Sequence, residues 1–228
     1  MHIVFVRRED TTTNKGLKWL SVKLFTCEWH GTAGSVGRFS LSAPETWSLD
    51  QGQLPLVVIV PGTDDRRVFS GGAKSALNPA AQAIFQQALV VECNPALAVG
   101  KNSWSWGPQP WMGDLTMFLK ALCCTFCSGI GYSRGTSWLL QLASCSHMFD
   151  KLVLLAPYPP PNMNETICAE RIKSFMDLEN IMVIGTPMDE HACTQEAHPE
   201  FWDSLIRAGM NPWTIAPGDH KATNRKSY

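Results

Sequence analysis

Gly131-Tyr132-Ser133-Arg134-Gly135 decides how the rest of this 228-residue sequence is read. Five residues with three fixed positions recur by chance, so the setting matters more than the string. Thr125 to Tyr132 reads as a short apolar strand. Arg134 to Cys145 reads as a helix with Trp138, Leu139 and Leu142 on its apolar side. A serine is therefore held on a sharp strand-to-helix turn. Glycines at 131 and 135 suit such a turn, because side chains there would collide with neighbouring backbone. The plain alternative is a serine that merely caps the helix.

Working outward, the same alternation recurs. Leu54-Pro55-Leu56-Val57-Val58-Ile59-Val60 is a continuous β-branched run that stops at Pro61-Gly62. It has no polar face, which marks a central parallel strand buried on both sides. Ala80 to Gln87 predicts a short helix, Ala88 to Cys93 a strand, and Asp114 to Cys124 a helix with Gly113 at its entrance. Beyond the serine, Leu152 to Ala156 predicts a strand and Ala169 to Leu178 a helix. Ile181 to Ile184 is a strand closed by Gly185. Phe201 to Ala208 is a helix stopped by Gly209, and Pro212 to Ala216 is the last strand. Before residue 54, Val4-Phe5-Val6 and Leu17 to Phe25 predict outer strands. Residues 30 to 53, rich in Gly, Ser, Thr and Pro, predict loops. The fold class is α/β: a mostly parallel central sheet with helices on both faces. Residues 1–228 are expected to form a single domain, with 1–53 as outer strands and loops and 54–220 as its core. In such sheets the chemistry lies beyond the carboxyl ends of strands, here after Val60, Ile130, Ile184 and Ala216.

Composition narrows the function classes. Hydrophobic residues make up 45% and charged residues 17%, which is a globular balance. The formal net charge of -1 argues against a nucleic-acid partner. No apolar run is long enough for a membrane span, and the N-terminus has no basic leader before its short apolar part. A soluble, cytoplasmic protein without a signal peptide is expected. The eight cysteines read as buried thiols in a reducing compartment. Cys124-Thr125-Phe126-Cys127 is a lone C-x-x-C, with buried thiols weighed against a metal or redox pair.

The turn at Ser133 aims the Arg134 backbone N–H and a helix N-terminus at a developing oxyanion. A serine hydroxyl also needs a base, and the base an orienting acceptor. Here the chain resembles the α/β-hydrolase superfamily, from about Leu54 to His220. Members place the nucleophile, acid and histidine in the order Ser, Asp, His. Ile181 to Gly185 leads to Asp189-Glu190, and Ala216-Pro217-Gly218-Asp219-His220 resembles the family's turn before its histidine. The resemblance implies Ser133 as nucleophile, His220 as general base and Asp189 as the orienting acid, with Glu190 competing for the acid role. It also implies a second oxyanion donor, the Thr63 backbone N–H, in Val60-Pro61-Gly62-Thr63, although Pro61 stands where histidine is common and Asp64-Asp65 follow. Trp104, Trp106 and Trp111 either line a substrate cleft or pack under their own loop. The short stretch from Ala156 to Ile181 leaves no room for a large lid domain.

The implied activity is hydrolysis of a small-molecule carboxylic ester or thioester, with no metal or organic cofactor. Acyl transfer on the same residues is the close rival; peptide cleavage is also open, though nothing in the sequence marks a peptide-binding subsite. A different class also stays open, a non-catalytic binding protein on the hydrolase fold; the feature that favours it is that only Lys221 to Tyr228 follow His220, where members usually add a final helix. Substrate identity and oligomeric state are not encoded in any motif.

Overall fold

The computed structural model describes residues 2–7, 22–30, 36–48, 54–60, 86–93, 110–122, 125–144, 146–158, 165–185, 198–211 and 214–215. The chain divides into two compact units. One comprises Met1–Ile59, Asp65–Trp104 and Gln109–Cys127; the other comprises Val60–Asp64, Ser105–Pro108 and Ser128–Tyr228.

In the first unit, β1 (His2–Arg7), β2 (Val22–His30) and β3 (Val36–Pro44) form an antiparallel run. β3 also pairs antiparallel with β5 (Leu89–Cys93), and β5 pairs parallel with β4 (Leu56–Val60). The prediction of loops across 30–53 is therefore wrong for β3. Phe39, Leu41 and Ala43 alternate there with Arg38, Ser40 and Ser42. That period-2 pattern overrides the weak strand propensity of its Gly, Ser and Pro. β4 and β5 confirm the apolar runs: Leu56, Val58, Leu89 and Val91 are fully buried. Phe25 meets Trp47 edge to face at 6.2 Å. Helix α1 (Pro110–Ala121) begins four residues before the predicted start, so Gly113 lies inside it. Pro110 explains the start, since proline fits the first helical position, where no intrahelical N–H bond is needed. The predicted helix from Ala80 lies mostly outside the described residues.

Among the described residues of the second unit, the strand pairings are parallel. β6 (Cys127–Tyr132), whose first residue belongs to the other unit, pairs with β7 (Lys151–Leu155). β7 pairs with β8 (Ile181–Gly185), and β8 with β9 (Thr214–Ile215). Among the described residues they are accompanied by α2 (Arg134–Ala143), α3 (Glu165–Phe175) and α4 (Pro199–Arg207). α3 starts four residues before its predicted start and ends at Phe175, and Leu178–Asn180 forms a separate 3-10 turn.

One face of these strands is closed by α2. A Cβ on Gly129 would meet the Leu139 and Leu152 side chains, so β6 and α2 approach closely there. Leu152, Leu154, Ile181 and Val183 continue that buried face across β7 and β8. α3 packs on α4, whose Phe201, Trp202 and Leu205 are fully buried. α4 stops as predicted. Gly209 adopts φ 114, and the Met210 N–H reaches back to the Leu205 carbonyl at 3.0 Å. That positive φ is free for glycine and costly for other residues.

Candidate active site

The site grows from the junction of β6 and α2. Ser133 stands one residue past β6, at the N-cap of α2, with φ 51 and ψ -126. A residue with a β-carbon adopts this region only when its surroundings hold it there. Both sides of Ser133 are held. Its N–H donates to the Leu155 carbonyl at 2.9 Å, and its carbonyl accepts the Thr136 N–H at 3.0 Å. The turn is also tight against the helix. A Cβ on Gly131 would lie 2.8 Å from the Thr136 Cα, which is backbone and cannot swing away.

The capping alternative fails on one observation: the Ser133 side chain makes no capping hydrogen bond to α2. Serine at an N-cap ordinarily lowers the helix's energy through that bond. Here the strain is present and the capping bond is not. Ser133 is 9% exposed, so its surface is small. Arg134 supplies the first backbone N–H of α2, a position without an intrahelical acceptor.

The next strand end is shaped in a similar way. Ala156, just past β7, has φ 45 and donates its N–H to the Ile184 carbonyl at 2.8 Å. Tyr158 then returns to α2. Its N–H donates to the Thr136 Oγ1 at 2.7 Å, and its carbonyl accepts the Ser137 hydroxyl at 2.8 Å. The Thr136 hydroxyl in turn donates to the Ser133 carbonyl at 2.6 Å. Thr136, Ser137, Ala156 and Tyr158 were not singled out from the sequence. The available signal was a pair of hydroxyl residues directly after the G-x-S-x-G pentapeptide, ahead of the apolar run Trp138-Leu139-Leu140.

No protein-family model matches the chain, and no curated protein matches it by sequence. Solved structures do match. An S-formylglutathione hydrolase from Agrobacterium tumefaciens aligns over 98% of this chain and 96% of its own, with a TM-score of 0.60 and 12% identity. A serine hydrolase without a lid from Xanthomonas campestris covers 86% of this chain and 84% of its own, with a TM-score of 0.54 and 18% identity. The chain has the α/β-hydrolase fold. That fold is shared more widely: Porphyromonas gingivalis dipeptidyl peptidase 4 matches 88% of this chain with 33% of its own, at a TM-score of 0.61 and 11% identity. At such identities the likeness gives the hydrolase fold and not its substrate.

Of the sequence-predicted site, the α/β-hydrolase turn bearing Ser133 and Arg134 is described. Asp189, Glu190, His220, Thr63, Trp104 and Trp106 lie outside the described residues. Trp111 is not in a loop, as predicted, but in the first turn of α1; its side chain lies outside the described residues. Cys127 is buried and forms no disulfide, and Cys124 lies outside the described residues.

Proposed function

We propose that this protein is a serine hydrolase that cleaves a small carboxylic ester or thioester through an acyl-enzyme on Ser133. The observation that carries the reading is the strained serine that occupies a helix N-cap without capping it. Such strain persists where a hydroxyl must be presented rather than spent on the helix. The structural likeness to hydrolases supports the same class.

The topology supports the partners. Tyr132, Leu155, Ile184 and Thr214 stand side by side in register on four parallel strands. The segments that lead to Ser133, Asp189 and His220 therefore leave the same edge of one sheet. Adjacent strands are about 4.8 Å apart, so β8 and β9 run about 10 and 14 Å from β6. Four residues from Gly185 to Asp189 can span about 14 Å, and five from Ile215 to His220 about 17 Å. At full extension, therefore, neither segment is too short for the proposed triad.

In that mechanism His220 removes the Ser133 proton as the oxygen attacks the acyl carbonyl. Asp189 fixes the imidazole tautomer and stabilises its cation. The backbone N–H groups of Arg134 and Thr63 receive the oxyanion, where preorganised donors lower the barrier most. His220 returns the proton to the leaving group, then activates water to release the acyl-enzyme.

The test is hydrolysis of p-nitrophenyl acetate and butyrate by purified variants. Ser133→Ala and His220→Ala should each lower kcat by at least about a thousandfold. Asp189→Asn should lower it by about the ten-thousandfold typical of a lost orienting carboxylate, while Glu190→Gln should not. A Ser133→Ala protein that turns over at the wild-type rate would remove Ser133 from the reaction. The reverse result for Asp189 and Glu190 would move the acid role to Glu190.

A further inference from the structure

The buried hydroxyls behind the turn have a use that packing alone does not require. Thr136 and Ser137 are fully buried in the first turns of α2. The Thr136 atoms nearest to where a Gly131 Cβ would stand are its N, Cα and Cγ2, all of which valine also has. Yet its hydroxyl is engaged on both sides. It donates to the Ser133 carbonyl at 2.6 Å and accepts the Tyr158 N–H at 2.7 Å. It also lies 3.1 Å from the Tyr158 carbonyl, but its one hydrogen belongs to the shorter contact with Ser133. The Ser137 hydroxyl supplies the donor for the Tyr158 carbonyl at 2.8 Å.

These bonds join residues 21 and 22 positions apart in the chain. Tyr158 follows strained Ala156, at the carboxyl end of β7. β7 lies between β6, which delivers Ser133, and β8, which leads toward Asp189. Two adjacent strand ends are thus fastened to one helix turn, and the fastening includes the strained carbonyl of Ser133 itself.

We propose that Thr136 is a positioning residue for Ser133. Its hydroxyl, with that of Ser137, braces the nucleophile turn against the segment that leaves β7. The proposal rests on reading Ser133 as the nucleophile. The brace fixes where the Ser133 oxygen stands relative to the base and to the oxyanion donors. A displacement of about 1 Å at a reacting centre can cost a hundredfold in rate.

The experiment measures the second-order rate of Ser133 labelling by a fluorophosphonate probe, together with thermal unfolding. Thr136→Val keeps the shape and deletes the hydroxyl. It should slow labelling by about 10- to 100-fold. Thr136→Ser, which restores the hydroxyl, should restore the rate. Ser146→Ala is the control. It deletes a buried hydroxyl bond of the same kind, to the Leu142 carbonyl at 2.7 Å, beyond the end of α2. It should lower the melting temperature as Thr136→Val does and leave labelling unchanged. Should Thr136→Val fail to fold, Ser137→Ala decides, because it removes the other half of the brace; slower labelling than wild type is expected. Wild-type labelling in folded Thr136→Val, or in Ser137→Ala when that variant decides, would overturn the brace while leaving Ser133 as the nucleophile. A wild-type protein that does not label at all would overturn both.

Discussion

Ser133 carries a backbone cost at the strand-to-helix turn to which the proposed chemistry is assigned. At φ 51 and ψ -126 it occupies a region that glycine visits freely and other residues do not. The cost of such a conformation is about 1–3 kcal/mol. The β-carbon is the cause, so alanine should bear the same strain as serine. Glycine should relieve it, less the roughly 0.5–1 kcal/mol that its extra freedom in the unfolded chain returns. Ser133→Gly is therefore expected to be more stable than Ser133→Ala by about 1 kcal/mol in urea unfolding, with both variants inactive. An alanine variant as stable as the glycine variant would show that the turn is not strained by its side chain.

At the scale of elements, close packing of β6 on α2 sets the height of the serine. Its two glycines do different jobs. A methyl on Gly131 would meet the Thr136 Cα at 2.8 Å, and backbone of a helix cannot yield without moving the turn. A methyl on Gly129 would meet the ends of the Leu139 and Leu152 side chains at 2.6 and 2.7 Å, and these can change rotamer. Gly129→Ala should cost about 1–3 kcal/mol, the usual range for overpacking, and keep Ser133 reactive. Gly131→Ala should be the more destabilising of the two and should also abolish Ser133 reactivity, read by urea unfolding and ester turnover side by side. Equal loss of activity in both would mean that general core damage, rather than displacement of the turn, silences the serine.

Element by element, the sequence was most readable where a local pattern and a local cause coincide. The apolar run of β4 has no polar face, and α4 ends where Gly209 takes a positive φ. β3 was missed because its Gly, Ser and Pro content masks an alternation of Phe39, Leu41 and Ala43. Its stability comes from pairing with β2 and β5 on either side. The early start of α1 is hidden in the sequence because a proline such as Pro110 suits a loop as well as a first helical position. The site divides the same way. Ser133 was legible because a strand, a turn and a helix announce it locally. The hydroxyls of Thr136 and Ser137 were not, since their partner Tyr158 is more than twenty positions away and no periodic pattern encodes that bond.

At the scale of the whole molecule, parallel strands bring their carboxyl ends to one edge, and that arrangement makes a triad from distant segments feasible. β6, β8 and β9 end within one residue of each other in register, and Ser133, Asp189 and His220 follow them in chain order. No helix among the described residues is long and apolar enough to cross a membrane. The α/β-hydrolase fold accommodates both the S-formylglutathione hydrolase and the dipeptidyl peptidase that this chain resembles, so the reaction is decided at the site. On the proposed function, Ser133 is an activated nucleophile and not a serine that happens to lie on a strained turn. The most direct measurement is labelling of the full chain with a fluorophosphonate probe, with the modified peptide identified by mass spectrometry. We expect one adduct, on Ser133, absent from Ser133→Ala and lost from His220→Ala while both variants remain folded. Folded wild-type protein that takes up no probe, or takes it up at another residue, would contradict the account.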